Sequence, residues 1–441
     1  MMPSFSQSII FLCIGIGVII LLTAKFHVHA FFALMIACFV TGLGVQMHAA
    51  EILNAMKDGF GNIMRSLGFI IVLGTTLGVL LEHTGSTKVM AAFILKKTGE
   101  RNAALALSIT GFIVGLPIFC DSGFIVLSGL NKSLAKRTGI PLAVTSVSLA
   151  TGLYAVHCLI PPHPGAAAAA GVINVDVGKL MLTGIAVALP AMLVGYWWAK
   201  RSGKNIVTNI EEELLPEAKT DLPSTMQSFL PVVVPVILIA IKSFLSVENF
   251  SNDLIKIFAV LGDPVIALSV GVLLAFINIK RWKKDVVGKL FTEGVEKAGS
   301  ILVIIGAGGA FGAVLAATKL GEHFNTTTSL SSFGIFFPFL VTFILKTAQG
   351  SSTVAIITAA SIIQPLLHAL NLESEWGKLL CVLSMGAGSM MISHVNDAYF
   401  WVITKFSGMD MRTVLKVYSV ATLFMGLVTM AVIYLLSLLL L

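Results

Sequence analysis

Charged side chains are scarce in this chain: Asp, Glu, Lys and Arg make up 12% of its 441 residues, against 56% hydrophobic residues and a mean hydropathy of +0.95. A soluble domain carries about 25% charged residues, and no aqueous core could absorb this much apolar surface. Cysteine is equally sparse. Cys13, Cys38, Cys120, Cys158 and Cys381 lie in apolar stretches with no CxxC spacing, which argues against a disulfide framework or a zinc site and makes them packing residues. HExxH is absent and no Ser–His spacing is diagnostic, so nothing points to an intramembrane enzyme. The first eight residues carry no charged side chain, and no small-residue cleavage site separates the first apolar stretch from Lys25; a retained helix is expected rather than a cleaved signal. The net charge of +7 follows from basic loops and says nothing about nucleic acid.

What the chain does have is a series of long apolar segments. Full membrane crossings are expected near 8–24, 30–46, 66–82, 141–170, 178–199, 229–247, 257–279, 298–318, 376–404 and 415–441. Two apolar pairs, 103–130 and 333–370, are interrupted by polar residues and read as re-entrant hairpins that enter and leave on one side. With that parity, 21 Lys and Arg residues fall on one side and 7 on the other; Lys346, inside the second hairpin, completes the 29. Basic loops stay cytoplasmic, so both termini are expected to face outward.

The order of segments repeats. A mixed-charge linker, residues 200–228 with Glu211–Glu213 and Pro216, separates a first half (1–199) from a second (229–441), each with three crossings, an interrupted hairpin, a broken crossing and a final crossing. Five crossings per half invert the second relative to the first. Ser66 and Ser300 open similar apolar strings 234 positions apart, and Gly152 and Gly388, ahead of the two breaks, lie 236 apart. An all-α membrane protein of two inverted repeats, with paired interruptions, is the pattern of a secondary transporter with a midplane site. Chance likeness between Gly-rich membrane helices is the alternative.

Four interruptions carry the chemistry. The first hairpin turns at Gly115–Gly123, where Pro117 and Gly123 free backbone groups and Asp121, beside Ser122, brings an ionisable carboxylate into the membrane. Such carboxylates serve proton relay or ligand contact, unless the Asp only caps the turn. The second turns at Gln349, Gly350, Ser351, Ser352 and Thr353, where a helix start with free N–H groups and hydroxyls suits a carboxylate and a polyol. Hydroxyls that merely bond their own backbone are the competing reading. Lys346 would either meet a substrate anion or snorkel to the outer interface. The first broken crossing holds His157, Pro161, Pro162, His163 and Pro164, which cannot continue a helix; the second holds His394, Asn396 and Asp397. The histidines are proton carriers or neutral hydrogen-bonding groups, and no ligand set for a metal accompanies them.

The strings Gly115–Gly123, Pro161–Ala166 and Ser393–Trp401 resemble those of the gluconate permease family, and the likeness runs over essentially the whole chain. The resemblance implies a proton-coupled importer of sugar acids or related hydroxy acids, with kinship to a wider ion transporter superfamily. That kinship implies scaffold and transport parts, an elevator mechanism and a homodimer. It places Asp121, Ser122, Gly123, His157, His163, Gln349 to Thr353, His394, Asn396 and Asp397 around one substrate site, with no cofactor. Asp121, at a Pro/Gly-interrupted turn, is the expected proton carrier, with Asp397 or His157 as the alternatives. Superfamily members with Ser-Asn-Thr at both tips differ from Asp121-Ser122-Gly123 and Gly350-Ser351-Ser352-Thr353 here, which favours protons over sodium. The expected substrate is gluconate or a related sugar acid. The alternatives are hexuronate, glycerate or D-serine transport, a cation/proton antiporter, or a channel, which would need a continuous polar pore.

Overall fold

The computed structural model describes residues 5–206, 222–245, 257–258, 260–279, 284–318 and 332–441. Glu211–Glu213 and Pro216 of the expected linker lie outside the described residues. Among those described, the secondary structure is helical throughout. The first half runs α1 (Phe5–Ile20), α2 (Ala30–Gly44), α3 (Ala49–Thr84), α4 (Ser86–Thr98), α5 (Ala103–Gly115), α6 (Cys120–Thr138), α7 (Leu142–Leu159), α8 (Pro164–Ile173) and α9 (Val177–Gly203). The second runs α10 (Thr225–Leu245), α11 (Pro264–Ile277), α12 (Lys284–Ala317), α13 (Phe336–Gln349), α14 (Ser352–Ile363), α15 (Glu375–Met390), α16 (Ala398–Ser407) and α17 (Met411–Leu440).

Among the described residues six helices are long and apolar enough to cross a membrane, and they coincide with six of the ten expected crossings. In the expected crossings 8–24, 30–46 and 257–279 the described residues hold only the shorter apolar helices Ile10–Thr23, Ala30–Gly44 and Pro264–Ile277, and 376–404 is interrupted between Met390 and Ala398. Two differences from the expected segments have a physical cause. Helix α3 begins at Ala49, well before the apolar run at 66, because Ile52, Met56, Gly59 and Ile63 recur at helical spacing and are buried while Lys57 and Asp58 on the other face are exposed. A reciprocal cap between His48 and Glu51 fixes that start. Helix α4 falls in what reads as a loop, since its apolar stripe (Met90, Ala91, Ile94, Leu95) is too narrow to register as a run.

The two longest helices, α3 and α12, pack antiparallel over most of their length. Gly59 and Gly309 allow this: a Cβ on Gly59 would stand 2.3 Å from the Gly309 carbonyl oxygen, and one on Gly309 would stand 2.7 Å from that of Gly59. Helices α2 and α11 lie against this pair, and α1 and α10 against them in turn. The remaining helices form a second group. Within it α5 packs on α7, and α13 on α15 in the same way. Gly152 and Gly388 occupy matching places in these two contacts, since an added Cβ would lie 2.2 Å from the Ser108 carbonyl oxygen in the first and 2.3 Å from that of Phe339 in the second. Backbone this close cannot yield to a side chain, so both positions require glycine.

The halves exchange their last pieces. The returning limb of the first hairpin, α6, packs against α16, the short helix after the second half's break; α14 packs against α8, its counterpart in the first half. Neither half therefore encloses a site by itself.

Candidate functional site

This exchange brings four helix N-termini to one place. Asp121 and Ser122 lie in the first turn of α6, Pro164 opens α8, Ser352 and Thr353 open α14, and Ala398 and Tyr399 open α16; all line one cavity of about 440 Å³. Each N-terminus presents amides without intrahelical acceptors and the positive end of a helix dipole, so the cavity favours an anion.

The first tip is open. Its polypeptide leaves α5 at Gly115, passes Pro117 and re-enters helix at Cys120. The Asp121 carboxylate faces the cavity and, among the described residues, accepts only the Cys120 thiol, Sγ to Oδ1 at 3.5 Å. The second tip is tied down. Lys346, 1% exposed, donates from Nζ to Asp397 Oδ2 at 2.6 Å and to the Gly350 carbonyl at 2.7 Å. It therefore neither snorkels nor sits free, and it joins the hairpin to the second break across 51 residues of sequence. Asp397 also accepts the Ser393 hydroxyl on Oδ2 and caps α16 through Oδ1 and the Tyr399 amide at 3.0 Å. Gly350 turns the chain with φ +79°, and a Cβ there would meet the Asn396 carbonyl oxygen at 2.1 Å. Ser351 caps α14 by accepting the Val354 amide at 3.3 Å, and Asn396 donates to the Thr347 carbonyl at 2.8 Å. Both polar atoms of the Gln349 side chain are buried without a hydrogen-bond partner among the described residues, though Gln349 lines the cavity.

Two tyrosines bolt the broken crossings together. Tyr154 on α7 donates to the Ser389 carbonyl at 3.1 Å, and Tyr399 on α16 donates to the Ala150 carbonyl at 3.2 Å. Their rings stack at 5.8 Å. His157 lies against Tyr154 at 6.3 Å and His163 at 5.0 Å, its Nδ1 buried without a hydrogen-bond partner among the described residues.

Ten of the thirteen residues that the sequence assigns to a substrate site line this cavity. The other three do not. His163 is buried and donates from Nε2 to the Gly115 carbonyl at 2.6 Å, which fixes the first break to the first hairpin instead of facing a ligand. His394 points Nε2 at the Thr347 carbonyl, 3.3 Å away. Gly123 is buried one residue behind the lining, where a Cβ would stand 2.7 Å from Leu153. Phe119, Cys120, Tyr154, Pro164, Tyr399 and, from α12, Lys297, Ser300 and Ile301 line the cavity without having been assigned to the substrate site from the sequence. Lys297 pairs with Glu293 at 2.7 Å. Among the described residues no group of His, Cys, Asp and Glu is placed to hold a metal.

The family pattern described as GntP family permease matches residues 7–439. The chain belongs to the GntP permease family. Among its relatives, a gluconate permease of Pseudomonas aeruginosa is 33% identical over 96% of both chains. A D-serine transporter of Escherichia coli O6:H1 is 29% identical over 97% of both. The crystal structure of the YdaH transporter of Alcanivorax borkumensis superposes with a TM-score of 0.61 at 14% identity, covering 88% of this chain and 89% of that one, which establishes the shared fold. As a GntP permease the chain is a membrane transporter and not an enzyme.

Proposed function

We propose that this permease imports a small hydroxylated monocarboxylate, gluconate or a related sugar acid, together with protons. The observation that carries the reading is the cavity itself: four helix N-termini and the Ser351–Thr353 hydroxyls suit a carboxylate, while Gln349 and Asn396 suit a polyol. The titratable groups on its wall, Asp121, Asp397 and His157, are the candidates for the coupled proton. The likeness to a gluconate permease supports the sugar acid. The likeness to a D-serine transporter supports a second reading, in which Asp121 takes the ammonium group of an amino acid.

The reading includes two inverted repeats, residues 1–199 and 229–441, whose transport part moves as an elevator against the α3–α12 pair within a homodimer. It places the chain in the bacterial inner membrane with both termini periplasmic, from the 21-to-7 division of basic residues. Uptake of labelled gluconate, idonate, glycerate, hexuronate and D-serine into right-side-out vesicles, with and without an imposed proton gradient, tests it. We expect accumulation of a sugar acid only with the gradient, in vesicles where a cysteine at position 204 stays shielded from an impermeant maleimide. Downhill flux alone, or labelling of that cysteine from outside, contradicts the reading.

A further inference from the structure

The ionisable groups around Asp121 are not equivalent. Facing it are Asp397 and Tyr399 at the second break with Lys346 behind them, Tyr154 and His157 on α7, its neighbour Cys120, and Lys297 on α12. Helix α5 contributes no titratable side chain, and none from α4 lines the cavity.

Each of these except Asp121 is paired, hydrogen-bonded or held by ring packing. Asp397 and Lys346 form a buried pair at 2.6 Å, 9% and 1% exposed, in which Lys346 also satisfies a carbonyl and Asp397 also satisfies a hydroxyl and an amide. Removing a proton from this lysine, or adding one to this carboxylate, would leave a buried charge without its counter-charge. Lys297 is paired with Glu293. The two tyrosine hydroxyls donate to carbonyls and so keep their protons. The His157 ring is stacked against Tyr154 and His163, and a proton added at its buried Nδ1 would have no acceptor among the described residues. Among the described residues Asp121 alone has no paired cation and no donor stronger than the Cys120 thiol, and it lies at a hairpin tip.

We propose that Lys346 is a built-in counter-ion that withholds Asp397 from titration, so that Asp121 is the sole proton carrier and each monoanionic substrate crosses with a single proton, without net movement of charge. The inference rests on the import reading above. A proton from outside neutralises the Asp121 carboxylate, the substrate anion enters against the helix N-termini, both leave to the cytoplasm, and the ionised carboxylate returns. The pair at the second tip keeps zero net charge throughout. A potential across the membrane then neither drives nor opposes uptake; a pH gradient does.

The test is gluconate uptake by the purified protein in proteoliposomes, with tracer flux and proton flux read together and the membrane potential clamped by potassium and valinomycin. The expected result is a ratio of about one proton per gluconate and uptake indifferent to an inside-negative potential. In Lys346→Met the uncompensated Asp397 becomes titratable and the ratio rises to about two; adding Asp397→Asn to that variant returns it to about one. A wild-type ratio of two, or uptake accelerated by inside-negative potential, overturns this inference while leaving import intact. Absence of tracer uptake for gluconate, idonate and D-serine alike overturns the import reading and this inference with it. If Lys346→Met does not fold, the wild-type ratio and voltage response decide the matter alone.

Discussion

The two hairpin tips meet across one cavity and occupy matching places in the two halves, yet they are set up in opposite ways. The first tip presents a carboxylate that, among the described residues, is hydrogen-bonded only by a thiol. The second carries a lysine and a carboxylate locked together and bonded to a carbonyl, a hydroxyl and an amide. Two similarly placed turns thus differ in the side chains a few residues from each, and these decide which one can change its charge. A group that must gain and lose a proton needs freedom from fixed partners. A group that must hold shape needs all its partners, because in a low-dielectric site a half-satisfied polar network is worse than none.

Breaking the second tip should have the larger effect on the fold. Removing one partner of a buried pair leaves an uncompensated charge and costs about 3–5 kcal/mol, so Lys346→Met and Asp397→Asn should each lower the unfolding midpoint of the purified protein substantially, and the double variant should lose less than the two single losses added. Additive losses would mean that the two residues act separately, and the contrast between the tips would fail.

A smaller effect is expected from the hydroxyls beside that pair. Contacts to a buried substrate contribute roughly 1–3 kcal/mol each, so Ser351→Ala with Ser352→Ala should raise KM about 5–150-fold in tracer uptake. Loss of the Ser351 cap on α14 costs about 1 kcal/mol of stability in addition, and KM is therefore compared at equal amounts of folded protein. An unchanged KM would move the substrate carboxylate away from the second tip.

Much of this arrangement is readable in the sequence, and for a physical reason. Polar or proline residues within an apolar run have to be enclosed by protein or water, so Asp121, the Gln349–Thr353 string, the three prolines at 161–164 and Asn396–Asp397 announce themselves one chain segment at a time. Pairings between segments do not. Nothing local distinguishes a Lys346 that meets Asp397 from one that reaches the interface, and nothing in Tyr154 or Tyr399 shows that each will bond the other half's broken crossing. Lys297 escapes notice because it sits at the polar edge of an apolar run that, in three dimensions, belongs to the middle of the 34-residue helix α12. His163 misleads for the opposite reason: a histidine among prolines looks like a ligand, but its short bond to the Gly115 carbonyl uses it to join two turns.

The central claim, that the free carboxylate of the first tip couples substrate to protons, is tested most directly by Asp121→Asn, which imitates the protonated side chain at nearly the same volume. In proteoliposomes, exchange of labelled for unlabelled gluconate should persist in this variant, while accumulation driven by an acid exterior should disappear and the remaining flux should lose its pH dependence. Accumulation against the gradient with the pH dependence of the native protein would show that Asp121 is structural and that the proton travels elsewhere.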